Sequence, residues 1–351
     1  MTTRERVKRM FEHREADRIP ITDSPWQGTI ARWEREGMKG DWRDFFDVDK
    51  FEGISVDASP RFGHRVLEDN DEFVVYATDY GVKVRQLKGH DSTPEFLDFT
   101  ITDADKWKAA KSCYDHNPDR INWDWLKKNH PLWDAEGRWI DAVFWFGFDV
   151  THSWVSGTET VLIALLEDPE WVTDIFHTML DTNIALFDKI WDKGYRFDGI
   201  LFYDDMGYKN TQFFSMDVYR KHLKPAHKKA IEWAKNRGIP ARLHACGNIV
   251  PFVPELVEMG LSALNPIEIK AGMDPIKLKE TYGKQLVLHG GINAVLWDKP
   301  EEIKAEIERL VPVLKENGGY IFSSDHSIPN AVSLEDFRGI VDLAKKVGGY
   351  V

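Results

Sequence analysis

Two ligand-type side chains spaced one residue apart, His244 and Cys246, are the sharpest chemical feature of this 351-residue sequence. In extended backbone the intervening Ala245 points away, so the imidazole and the thiol face the same side. An imidazole nitrogen and a thiolate are strong zinc ligands. A third ligand from another strand end would complete a site with one open position, as a catalytic zinc requires. His326 is the first candidate for that ligand and Asp325 the second. The competing reading is a buried histidine and cysteine holding no metal, because one His-x-Cys pair is a weaker signal than paired CxxC ligands.

Other reactive residues fall at the ends of short apolar runs. The run 198–203 ends in Tyr203, Asp204 and Asp205, and 262–265 leads to Glu268. The run 285–288 ends at His289, and 319–323 ends at Asp325 and His326. Tyr203, Asp204 and His289 are candidate catalytic residues. Adjacent carboxylates repel, so Asp204 or Asp205 needs a partner; acid–base work, substrate binding and a structural cap are all open to them. Glu159, in the loop after another apolar run, is open to two readings, a site carboxylate or a helix-capping acid. Aromatics around Trp145, Phe146, Phe148 and Trp154 fit core or pocket wall, and Cys113 lies in a polar stretch with no evident role.

The elements that must position these residues follow a repeating grammar. Asp168-Pro169-Glu170 starts a helix, with an N-cap acid and proline at the first helical position, and Gly194 ends it. The apolar run 198–203 reads as a buried strand. Ser215 opens a helix towards Gly238, followed by the strand 240–244; a short helix 254–260 precedes the strand 262–265. Asp274-Pro275 caps a helix ended by Gly283, before the strand 285–288. A helix 300–318 precedes the strand 319–323, and Ser333 to Asp336 resembles a capping box for the last helix. With Trp139–Trp145 as a further strand upstream, these units predict a parallel sheet and favour a single (β/α)8 TIM-type barrel over residues 1–351. Such barrels take about 250 residues and more with insertions, and their sites form at the C-terminal ends of the strands. Residues 73–76 and 82–85 around Asp79-Tyr80-Gly81 predict a hairpin, which with N-terminal helices makes an extension within 1–100.

Bulk properties narrow the function classes. With 42% hydrophobic residues, 14 Trp and 20 Phe, the chain can bury a large core, which excludes general disorder. It carries 46 Lys+Arg against 58 Asp+Glu, a net −12, with no basic cluster for phosphates, so no nucleic-acid partner is expected. Two cysteines make no disulfide framework. The start, Met1-Thr2-Thr3-Arg4-Glu5-Arg6, has no apolar signal-peptide core, and no run is long and apolar enough to span a membrane. A cytoplasmic location without membrane partners is the expectation.

Taken together, the motifs resemble the uroporphyrinogen decarboxylase superfamily over essentially the whole length. They are Asp17-Arg18-Ile19-Pro20, Gly157-x-Glu159 with Asp168-Pro169-Glu170, Tyr203-Asp204-Asp205-Met206-Gly207, His244-Ala245-Cys246-Gly247-Asn248, Leu288-His289-Gly290-Gly291-Ile292-Asn293 and Ser324-Asp325-His326-Ser327-Ile328-Pro329. The resemblance implies a (β/α)8 barrel with its pocket at the C-terminal mouth. True decarboxylases carry R-I-P-x-W-x-M-R-Q-A-G-R, whose arginines hold the substrate's propionates. Here Pro25 and Thr29 stand where the two later arginines would be, which removes charge-assisted hydrogen bonds that a polyanionic substrate needs.

The other large branch, the corrinoid-dependent methyltransferases, uses a His-x-Cys pair and a later Cys to hold zinc. His244 and Cys246 match the pair, and His326 stands where that branch has Cys. A His2Cys site keeps zinc affinity but carries one thiolate fewer, so thiol specificity does not carry over. The resemblance therefore implies a zinc-dependent methyltransferase that moves a methyl group between a small substrate and a corrinoid. Zinc would be held by His244, Cys246 and His326, while Tyr203, Asp204 and Glu159 position substrate or relay a proton. No D-x-H-x-x-G motif is present, so the corrinoid would come from a partner protein. The alternatives are a metal-free lyase, such as a decarboxylase of a small carboxylic acid, and a non-catalytic barrel that binds tetrapyrrole or metal.

Overall fold

In a computed structural model, which describes residues 1–89 and 91–350, the strands that carry the reactive residues form one parallel sheet. Its strands are β1 (Phe51–Ile54), β6 (Trp139–Trp145), β7 (Gly199–Tyr203), β10 (Ala241–His244), β11 (Ala263–Asn265), β12 (Val287–His289) and β13 (Tyr320–Ile321), hydrogen-bonded in that order. All six pairings are parallel. Neighbours in the sheet are thus neighbours in this series, the pattern of repeated βα units.

The two edges of this sheet meet the same N-terminal segment. Ile21 forms a parallel bridge with Phe322, where the Phe322 N–H donates to the Pro20 carbonyl at 2.9 Å and the Thr22 N–H to the Phe322 carbonyl at 3.0 Å. On its other side the Ile21 carbonyl accepts the Asp49 N–H at 2.8 Å, just before β1. The fully buried Asp49 carboxylate receives the Ile21 N–H, Arg6 and Arg18, so the segment is fixed by ionic as well as backbone bonds.

Strand parity divides the side chains. Ile140, Ala142 and Phe144 of β6, Ile200 and Phe202 of β7, and Ala241 and Leu243 of β10 are buried in the core. The alternate residues Asp141 and Val143, Leu201 and Tyr203, Arg242 and His244 line an interior cavity. This is the period-two alternation of strands with one face in the core and the other on the cavity. Helices cover the outer face; Pro169–Asp192 buries Val172, Ile175, Phe176, Met179 and Phe187.

The expected hairpin is two strands of a four-stranded antiparallel sheet: β2 (Arg65–Asp69), β3 (Phe73–Ala77), β4 (Val82–Leu87) and β5 (Glu95–Phe99). β2 is exposed along its whole length, so it lacks the apolar pattern by which a strand is recognised. A two-residue pair, β8 (Gly207–Tyr208) with β9 (Thr211–Gln212), follows β7. The helix expected from Ser215 to Gly238 is interrupted: Met216–Val218 runs into a π-turn at Tyr219–Leu223, and Lys224–Lys235 starts with Pro225 in its first turn. Proline has no N–H for the preceding turn, which explains the break. Among the described residues no helix is long and apolar enough to cross a membrane.

Candidate metal centre

The C-terminal rim of the sheet carries one row of side chains. Trp145 pairs in register with Tyr203, Tyr203 with His244, and His244 with Asn265. The Tyr203 and His244 rings lie 4.8 Å apart. Beyond the row, the chain from β7 continues extended enough to keep its parity: Asp204 turns into the core and Asp205 towards the cavity side.

Two glycines then bring the loops together. Gly247 has φ +78°, and a Cβ there would run into the backbone of Gly207. A Cβ on Gly207 would come within 2.6 Å of the Gly247 carbonyl carbon and the Asn248 nitrogen. Only residues without a side chain permit this crossing. It places Asp205 against the Cys246 loop, where the Asp205 Oδ1 accepts the Cys246 N–H at 2.7 Å. One ligand atom from each of Asp205, His244 and Cys246 then lies within 4.8 Å of the others, the one such group of three among the described residues.

The surroundings aim the donors. The Asn265 Nδ2 donates to the His289 carbonyl at 3.1 Å, which turns its Oδ1 towards His244. The His244 Nδ1–H therefore donates to Asn265 Oδ1 at 2.5 Å. That fixes the tautomer and leaves the Nε2 lone pair facing Cys246 Sγ, 3.4 Å away. Two ligands of one tetrahedral zinc, at ordinary Zn–S and Zn–N lengths, stand about 3.5 Å apart, so the pair has the spacing of shared coordination. The Glu268 carboxylate holds the Gly247 N–H at 2.5 Å. Burial, with Asp205, Glu268 and Asp149 nearby, pushes the Cys246 thiol well above its usual range. A divalent cation would reverse that balance and leave the thiolate.

A cavity of about 820 Å³ opens beside these residues, with Tyr203, His244, Cys246, Asn265 and His289 in its wall. One layer below the rim, Arg242 donates to His289 Nδ1 at 2.5 Å and pairs with Asp141. Burial, Arg242 and His244 hold the His289 imidazole well below its usual range. It is a neutral ring whose Nδ1 accepts, so its remaining polar atom is an Nε2–H donor.

The other expected site residues lie elsewhere. Asp204 is fully buried, with Oδ2 2.8 Å from His227 Nε2 and Oδ1 accepting the Asp149 N–H at 2.7 Å; it braces the loop from outside the cavity. Glu159 is exposed in the first turn of the helix Thr158–Glu167, an acid at a helix N-terminus. His326 is exposed, 6.3 Å from the Trp26 ring, and lines the cavity without joining the group of three. Both Asp325 oxygens are taken, by the Ala294 and Ile269 N–H groups at 2.8 Å each. Asn265 and Asp149 are not singled out as site residues from sequence, and Asp205 is left undivided from Asp204. Parity alone would have found Asp205, because a residue two beyond the inward Tyr203 also faces inward.

A parallel βα sheet with ligand-type residues at its C-terminal strand ends defines the enzyme-type α/β architecture in which sites gather at that face. The chain matches the family model of Uroporphyrinogen decarboxylase (URO-D) over residues 148–347. It belongs to the uroporphyrinogen decarboxylase family. In structure it is similar to a methyltransferase from Methanosarcina mazei (TM-score 0.64, 14% identity, 99% of each chain covered). It is also similar at a TM-score of 0.43 to a B12-independent methionine synthase from Shewanella sp. W3-18-1 (11% identity, 87% of this chain and 83% of that one). No curated protein matches the chain in sequence.

Proposed function

We propose that the chain is a zinc-dependent methyltransferase that moves a methyl group between a small substrate and the corrinoid of a separate partner protein. The carrying observation is the oriented set His244 Nε2, Cys246 Sγ and an Asp205 oxygen, gathered by two adjacent strand ends and the glycine crossing. In this reading the whole chain is one barrel domain, with Ile19–Thr22 as its eighth stave between β13 and β1.

His244, Cys246 and Asp205 would hold the zinc, a nitrogen, sulfur and oxygen set that leaves one position open. Zinc there would supply Lewis acidity towards the heteroatom that gives up or takes the methyl group. The chain's own residues bind and orient the substrate. The Tyr203 hydroxyl, which burial keeps protonated, and the His289 Nε2–H donate hydrogen bonds into the cavity. Asn265 takes the Nδ1–H of His244, so that Nε2 is the nitrogen turned to the metal position. Arg242, buried in the cavity wall, pairs with Asp141 and donates to His289. The reading also suits a soluble protein of the cytoplasm.

The test is spectroscopic. The protein is mixed with methylcobalamin and candidate acceptors, or with cob(I)alamin and methyl ethers, thiols and amines. Protein-dependent conversion of one corrinoid spectrum into the other is expected. No change across the panel with zinc-loaded protein would overturn the proposal.

A further inference from the structure

Beside the metal centre lies a second cavity of about 310 Å³, lined by Ser55, Val56, Ala58, Tyr80, Val143, Trp145, Asp149, Asn183 and Tyr203. It shares Val143 and Tyr203 with the large cavity. Trp145 lies two strands from His244 in the same register row, a separation of about 10 Å at ordinary strand spacing. The Tyr80 and Trp145 rings meet at 5.3 Å and 72°, forming a corner of two aromatic faces. Neither ring is fully buried, unlike Phe146 and Phe148 nearby, which are core.

The polar lining combines the hydroxyls of Ser55, Tyr80 and Tyr203 with the acceptor oxygens of Asn183 and Asp149. Asn183 uses its Nδ2 on the Met179 and Trp145 carbonyls at 2.8 and 3.3 Å, which leaves its Oδ1. Trp145 Nε1–H is spent on Asp149 Oδ2 at 3.1 Å. Among the described residues no Lys, Arg or His lines the cavity, and Asp149 is its one carboxyl group. Aromatic faces with an acid and no base form the environment in which a quaternary ammonium is held. An anionic ligand would meet the Asp149 carboxyl with no Lys, Arg or His among the described lining residues to balance it, whereas a cation is drawn both to that acid and to the aromatic faces.

We infer that this cavity binds a methylated onium group, a quaternary ammonium or sulfonium, as part of the small substrate. The inference rests on the methyltransferase reading for its purpose, since an onium methyl next to the metal centre is a methyl donor. The binding claim stands on its own geometry. Titration calorimetry on the full chain compares choline with its neutral isostere 3,3-dimethylbutan-1-ol. Choline is expected to bind at least tenfold more tightly. That preference should fall to near unity in Asp149→Asn and in Trp145→Leu variants that keep the wild-type circular dichroism.

Equal binding of the two probes by the wild type would overturn the inference, and so would a preference that survives both substitutions. The wild-type comparison needs no variant to fold. The corrinoid assay separates the two proposals. Preferential choline binding with no methyl transfer from any donor overturns the methyltransferase reading and upholds the onium site. Methyl transfer from neutral donors with no choline preference does the reverse.

Discussion

Asn265 decides how His244 can act. Its amide is anchored at the His289 carbonyl, and from there it sets the proton on the far nitrogen of His244. Removing such an orienting partner commonly weakens metal binding by about 10–100-fold. Asn265→Ala should therefore show that loss of zinc affinity in a chelator competition while its far-ultraviolet spectrum stays unchanged. Asp204 has a different task. It and His227 are fully buried against each other, and breaking a buried pair costs about 3–5 kcal/mol. Asp204→Ala should lose stability of that order in urea denaturation and still bind zinc once folded. The motif made His244, Cys246 and Tyr203 legible in the sequence. It could not separate Asp204 from Asp205, which parity decides, nor reveal Asn265, whose partners His244 and His289 lie 21 and 24 residues away in the chain.

At the scale of elements, the site is a crossing of two loops more than a property of either strand. Gly207 and Gly247 touch backbone to backbone, and this contact delivers Asp205 to Cys246. Gly247→Ala adds a Cβ at φ +78° into that contact, where both strain and clash oppose it. The variant should lose zinc binding and about 2 kcal/mol or more of stability, measured by metal analysis and denaturation of the same sample. The βα grammar of the second half was readable because each strand is an apolar run flanked by helix caps. Only the middle hairpin of β2–β5 was visible: the exposed residues of β2 have no buried face to produce alternation. The helix break near Pro225 was obscured because the apolar pattern continues through the π-turn.

For the molecule as a whole, the N-terminal segment around Ile21 joins both edges of the parallel sheet through backbone bonds that carry no sequence pattern of their own. Carboxyl groups gathered at the strand ends also shape its response to pH. Burial, with Asp205 and Asp204 adding repulsion, raises Asp149 to about 7, and burial raises Asp23 to about 6. Unfolded, each would ionise near 3.8. Between these values the native state binds more protons than the unfolded one, so these groups make stability fall as pH rises from about 4 to about 7. Asp149→Asn should therefore flatten the stability profile in this window, as read by denaturation midpoints at several pH values.

The central claim is that His244, Cys246 and Asp205 hold a metal, and metal content tests it most directly. Protein purified without chelators should contain about one zinc per chain by elemental analysis. Cys246→Ser and Asp205→Asn should lose it, whereas His326→Ala should keep it. Folded wild-type protein that takes up no zinc, or Cys246→Ser and Asp205→Asn variants that retain a full equivalent, would contradict the account.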